Sequence, residues 1–294
     1  MKKILLLLLC TTMVLGLASA AELEYFQIYK PRAGMSADEV MQLAYFVQYT
    51  KFAKDAQFEG KAYFIDKAGS VRERGTERKR INLGRKSDGL AYKDFNMFTS
   101  PSQVKGLSIL TWTYLDPKKQ TDTWMWIPSL KKIRKVSQSQ ADDSFMGSDF
   151  TVEEISTRKF EDETYKLLKE ERFKGYTSIH TKETYYAGTP VLVIEARPKR
   201  SPWYYSKRIA YIDKATGGDI YNEVYDQNGR LFKTLFRKYE MYNVFGKEYP
   251  AQTIIEGHDL RTGHKTVIIN EKITFDQGLP ESFFTETTLN QSRW

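Results

Sequence analysis

Two periods of apolar residues divide this chain. In "MSADEVMQLAYFVQYTKFAKD", Val40, Leu43, Ala44 and Val47, with Phe46 at the margin, recur at helical spacing and share one broad face. Ser36 and Glu39 stand before them in capping-box spacing, the serine side chain reaching first-turn amides and the glutamate returning to the serine N–H. The pattern predicts a helix that opens at Ser36. Its apolar face is either core or a lid over a ligand space.

From about Ala56 onward the period becomes two, with β-branched and aromatic residues alternating with charged ones between Gly, Asn and Asp clusters. Hairpin turns are predicted at "DKAGS", "DPKKQTD", "DKATGGD", "DQNGR" and "HDLRTGHK". In "HKTVIINEKITF", Val267, Ile269, Ile273 and Phe275 are expected to point one way, and Thr266, Asn270, Lys272 and Thr274 the other. Hairpins in series, without strand–helix–strand alternation, predict one large meandering antiparallel sheet or an open barrel. No repeat or long linker interrupts residues 21–294, which are expected to form a single domain.

Two segments depart from simple alternation. In "LSILTWTYL", Leu107, Ile109 and Leu115 fall on one face and Leu110, Trp112 and Tyr114 on the other. In "TWMWI", Trp124 and Trp126 share a face opposite Met125 and Ile127. A hairpin apolar on both faces must be covered twice, by core on one side and by helices or a ligand on the other. The tryptophan face, joined by Trp112 and Tyr114, is expected to line a ligand cavity, since large rings give contact area and their polar tips tolerate a wet mouth.

The start of the chain adds a compartment. Lys2 and Lys3 precede an apolar run from Ile4 to Leu9, and Ala18-Ser19-Ala20 supplies small residues at a cleavage site. A secretory signal peptide cleaved after Ala20 is expected. Leu9 before Cys10 does not suit a lipoprotein anchor, and cleavage removes the one cysteine, leaving no thiol for disulfide, metal or nucleophile. Loss of Lys2 and Lys3 lowers the formal charge of +8 by two. Lys131, Lys132, Arg134 and Lys135 form a basic run whose interleaved Ile133 and Val136 tie it to the core. A fixed cationic patch suits anionic lipid or an acidic protein surface, and RNA-binding signatures are absent, so no nucleic acid is expected.

Catalytic patterns are missing from the sequence. His180, His258 and His264 lack metal-ligand spacing, and no nucleophile elbow, P-loop or dinucleotide glycine pattern occurs. Asp142, Asp143, Asp149, Glu153 and Glu154 crowd one region without the spacing of a calcium loop. A glycosidase pair drawn from distant carboxylates stays open at this point. The expectation is a protein without catalysis, cofactor or metal. The closing "TLNQSRW" lacks the alternating face of a lipid-facing strand, so membrane contact is expected to be peripheral.

"WMWIPSLKKIRKV" followed by "FMGSDFTVEEI" resembles the signature of the LolA-like outer-membrane lipoprotein-sorting proteins. "KGLSILTWTY", "YSKRIAYIDKATG" and "DQGLPESFFTETTL" resemble family segments in the same order. The resemblance implies a mainly β (α+β) fold: an incomplete antiparallel β-barrel closed by helices, with an apolar cavity for acyl chains. On that expectation Trp112, Tyr114, Trp124, Trp126, Phe145, Met146, Val40, Leu43 and Val47 line the cavity. Lys131, Lys132, Arg134 and Lys135 then meet a headgroup or partner. The implied function is a periplasmic carrier that takes a lipid or lipoprotein towards the outer membrane, because a free acyl chain, at about 0.8 kcal/mol per methylene, does not cross water at a useful rate. Classical lipoprotein chaperones are shorter than this chain, and members with this signature are often associated with inner-membrane exporters of the resistance-nodulation-division type. The alternative is therefore a non-carrying accessory subunit docked on such an exporter. The expected partners are lipid or lipidated protein, an inner-membrane exporter and an outer-membrane acceptor.

Overall fold

A computed structural model describes residues 30–84, 89–136 and 142–290; the expected signal peptide and Trp294 lie outside the described residues. Helix α1 (Ala37–Gln48) begins as its cap predicts: Ser36 Oγ accepts the Glu39 N–H at 3.3 Å, and the Glu39 carboxylate accepts the Ser36 N–H at 2.7 Å. The strands follow as β1 (Asp55–Ile65), β2 (Val71–Asn82), β3 (Leu90–Ser100), β4 (Ser108–Tyr114), β5 (Asp122–Ile127) and β6 (Lys132–Val136). After a crossing segment come β7 (Glu163–Arg172), β8 (Tyr176–Thr177), β9 (Thr184–Tyr185), β10 (Pro190–Pro198), β11 (Lys207–Asp213) and β12 (Asp219–Tyr225). The long hairpin β13 (Leu231–Val244) and β14 (Lys247–Asp259) precedes β15 (Lys265–Phe275), and α2 (Glu286–Asn290) closes the described chain. All five predicted turns join strands that are neighbours in the sheet.

Thirteen of these strands form one antiparallel sheet in the order β6-β5-β4-β3-β2-β1-β15-β14-β13-β12-β11-β10-β7. Its end strands β6 and β7 do not pair with each other, so the barrel is incomplete, as expected. The segment 142–162 between them enters the interior. One sheet face is internal, because side chains from distant strands meet there: Ala62 and Phe64 of β1, Phe98 of β3, Ile109 of β4, Val224 of β12 and Ile255 of β14 form one buried cluster. Helix α1 lies on the same side, with Val40, Met41, Ala44 and Tyr45 packed on Leu192 and Ile194 of β10 and Ala210 and Ile212 of β11. Residues 173–186 cover part of the opposite face, where Phe173 and Tyr176 pack against Val191, Val193 and Ile220.

The predicted face of β15 is corrected by a bulge. Glu59 pairs with Lys272 and Gly60 with Asn270, leaving Glu271 unpaired between them. One extra residue inverts the alternation beyond it. Ile273 and Phe275 are therefore on the internal face with Thr266, Ile268 and Asn270, while Val267 and Ile269 point outward. Gly60 is required at this bulge, since a Cβ there would stand 1.8 Å from the carbonyl oxygen of Ile269.

Candidate ligand-binding site

The interior of the incomplete barrel is occupied by its own chain. Phe145, Met146, Phe150 and Val152 of the crossing segment are buried among β1, β3, β4, β12, β13 and β14, as a plug. Its tip is a tight turn in which Met146 (φ 53°) and Gly147 (φ 79°) both take the left-handed region. The Phe145 N–H donates to Phe150 O at 2.7 Å, and Ser148 Oγ donates to Phe145 O at 2.6 Å. Asp149 anchors the plug to β15: its carboxylate accepts from Thr266 Oγ1 at 2.7 Å and lies 2.7 Å from His264 Nδ1, and its N–H donates to the same hydroxyl at 3.0 Å. Arg74 of β2 holds the tip. Its Nη1 donates to Met146 O at 3.1 Å, and its guanidinium lies 4.4 and 4.7 Å from the ring centres of Phe64 and Phe98.

Two cavities flank the plug. An apolar one of about 70 Å³ lies among Phe58, Ala62, Phe64, Phe98, Phe145, Met146, Ile155 and Ile268. A second, of about 340 Å³, lies at the seam of the sheet between Thr123 and Val136 on one side and Asp162 and Pro198 on the other. Val152 and Glu153 of the crossing segment line the seam cavity and Ile155 the apolar one, so a single turn separates them. That turn is wide, closed by an Arg158 N–H to Glu153 O bond at 2.9 Å.

Between plug and α1 runs a buried ionic network that the sequence reading did not find. Arg208 pairs with Glu163 at 2.6 Å, and Glu163 also accepts from Tyr45 at 2.9 Å and Tyr205 at 2.8 Å. Asp219 stands 3.5 Å from Arg208 and 3.7 Å from Arg237. Arg158 binds Glu153 at 2.7 Å, and Lys233 binds Glu154 at 3.0 Å. Burial pushes the Glu163 carboxyl up, but the Arg208 guanidinium, with Arg158 and the Tyr205 hydroxyl, more than offsets it and holds the group down at about 2. Burial dominates at Glu153 and raises its carboxyl against the pull of Arg158. The crowded carboxylates Glu153 and Glu154 thus serve ion pairs. Among the described residues no group of three or more His, Cys, Asp or Glu is placed to hold a metal ion.

A second feature missed was legible in principle. Arg74, Arg78 and Arg80 pair across from Ala62, Phe58 and Ala56 of the internal face, so "VRERGTERKRIN" carries arginines inward at period two. Arg80 is fully buried, its Nε donating to Asp94 at 2.9 Å, and Arg78 forks onto the same carboxylate at 3.0 and 2.6 Å.

The expected lining residues separate into three groups. Phe145 and Met146 border the apolar cavity. Val40 packs from α1 onto the sheet, and Leu43 and Val47 are buried on the same helix, so its face is core and not a lid over either cavity. Trp112, Trp124 and Trp126 lie on the outer face, packed under Phe283, Phe284 and Leu289 of the C-terminal segment. Trp112 Nε1 donates to Phe284 O at 3.0 Å, and Tyr114, at the end of that outer face, donates to Asp122 at 2.6 Å. Strand alternation puts Ile109 and Met125 inward instead, and both join the plug cluster. The tryptophan face thus replaces solvent with the chain's own C-terminal segment, which Asp55 holds by accepting the N–H groups of Gln277, Gly278 and Leu279. Lys131, Lys132, Arg134 and Lys135 are exposed on or beside edge strand β6, with Lys135 paired to Asp122 at 2.7 Å.

An incomplete antiparallel barrel filled by an internal segment places the chain in the LolA-like class of folds. A family model described as "Uncharacterized protein" matches residues 92–291, well over half of the chain, and the chain belongs to that family. An outer membrane lipoprotein-sorting protein domain from Vibrio parahaemolyticus superposes with a TM-score of 0.71 at 23% identity, covering 87% of this chain and 98% of its own. A DUF1329 family protein from Desulfovibrio piger gives 0.71 at 23% identity over 86% and 99%. A LolA superfamily protein from Nitrosomonas europaea gives 0.59 at 18% identity over 87% and 100%. At these identities the likeness is one of fold. No curated protein matches the chain in sequence.

Proposed function

We propose that this protein is a periplasmic carrier of molecules with acyl chains, a lipid or a lipidated protein. The observation that supports this best is an apolar cluster inside an unclosed sheet, filled by a loop of the protein's own chain. The apolar cavity of about 70 Å³ is far below the ~300–1,000 Å³ of ligand pockets. Burying an acyl chain in the apolar cavity therefore requires the plug to leave. Each fully buried plug side chain contributes roughly 1.5–3 kcal/mol, so Phe145, Met146, Phe150 and Val152 together are offset by a chain of about a dozen methylenes at ~0.8 kcal/mol each. Cargo and plug are then close in energy, which is what reversible loading needs. Protein isolated from periplasmic extract should retain acyl species in native mass spectrometry, and delipidated protein should bind a fluorescent fatty-acid probe. Absence of both would sink the reading.

The exposed basic run on an edge strand favours a second reading, a subunit docked on an inner-membrane exporter. Crosslinking in cells distinguishes the two: a carrier gives transient contacts at both membranes, a subunit a stable contact at one.

A further inference from the structure

We infer that the seam cavity is a headgroup site for an amphiphile bearing an oxyanion, a phosphate or carboxylate. The inference rests on the carrier reading and names the cargo chemistry. Lys159, Lys199 and Arg200 border this cavity, and none forms an ion pair among the described residues. Lys159 Nζ donates to the carbonyls of Pro117 and Lys119 at 3.1 and 2.6 Å, tying the β4–β5 turn to the start of β7 across the seam. Lys199 Nζ donates to Glu161 O at 2.8 Å, and the Arg200 guanidinium lies 4.1 Å from the Trp203 ring centre. These direct partners are neutral, and Asp162, Glu161 and Asp116 act on Lys159 only through space.

The carboxylates of the lining are Glu153, already matched by Arg158, and Glu161 and Asp162. Asp162 accepts the Lys159 N–H at 2.8 Å, and the three cations outnumber the two remaining carboxylates. A second, independent observation concerns a hydroxyl. Thr121 borders the cavity. Its Oγ1 is buried without a hydrogen-bond partner among the described residues. A buried hydroxyl of this kind is costly until an acceptor reaches it, and an oxyanion is an acceptor without donors. Val136, Val152 and Trp203 give the same cavity an apolar side, so the ligand is amphiphilic. Its chain would run along Val152 towards Phe145 and Met146 at the tip of the plug.

Calorimetric titration of the delipidated protein with dodecyl phosphate, dodecyl maltoside and inorganic phosphate, below micelle concentrations, tests this. Dodecyl phosphate should bind about tenfold tighter than the maltoside of equal chain length. Lys199 and Arg200 are exposed, so Lys199→Gln/Arg200→Gln should fold, as a thermal melt would show, and should reduce that ratio to about twofold or less. Equal binding of the two amphiphiles by the wild type, or a ratio unchanged in the variant, overturns the headgroup site while the carrier reading stands. Inorganic phosphate binding as tightly as dodecyl phosphate makes it a free-anion site and overturns the amphiphile assignment. Binding of neither amphiphile overturns the carrier reading as well.

Discussion

The Phe150 ring rests on the backbone of Gly257: a Cβ built at position 257 would lie 3.1 Å from its Cζ and 3.2 Å from its Cε1. The glycine of β14 is thus the seat of the plug. Gly257→Val should push Phe150 outward, lower stability by about 1–3 kcal/mol and speed uptake of a fatty-acid probe several-fold. Stopped-flow binding beside a melting curve checks it, and unchanged uptake would show that the plug does not gate the interior.

Asp149 and Thr266 give a gentler handle on the same element. Thr266→Val keeps the side-chain shape but removes the hydroxyl that both donates to the Asp149 carboxylate and accepts its N–H. A loss of about 1–3 kcal/mol is expected. Amide exchange should quicken at residues 145–150 before it does in the central strands.

Trp124 is buried at 7% exposure beside Trp112, ring centres 5.1 Å apart. Trp124→Glu should therefore bury an unpaired charge and cost more than about 4 kcal/mol. Lys132→Glu, on the exposed edge strand, should stay within about 0.5 kcal/mol. Thermal melts compare the two directly, and a Trp124→Glu protein as stable as the wild type would mean that the ring faces a hydrated space.

Glu163 sets an acid dependence. Its carboxyl sits at about 2 when folded against an ordinary ~4.3. A carboxyl lowered by folding contributes its full stability above the ordinary value and loses it as pH falls from there towards 2. Glu163→Gln breaks the pair with Arg208 and should cost about 3–5 kcal/mol at neutral pH. That cost should shrink steadily between pH ~4.3 and ~2, measured by denaturant titrations at each pH.

Local chemistry was legible without the fold. Ser36 and Glu39 announce α1 because a capping box needs only residues three apart, and the five turns follow from glycine and aspartate within each loop. Phe145 and Met146, expected from the resemblance to line a ligand cavity, are buried side chains of the plug. Alternation also separated Trp124 from Met125 correctly, yet it does not state which face is inside. That choice depends on how thirteen strands coil and on what covers the outside, here Phe284 and Leu289, far along the chain. A single unpaired residue, Glu271, inverts β15 and moves Ile268 inward, and it shows only against β1. The ionic network was hidden for the same reason: Glu163 and Arg208 are 45 residues apart and meet only across the folded sheet. Propensity and spacing act over a few residues, whereas curvature, bulges and charge pairing are settled when distant strands meet, so the sequence determined the elements and only the tertiary structure decided what they enclose.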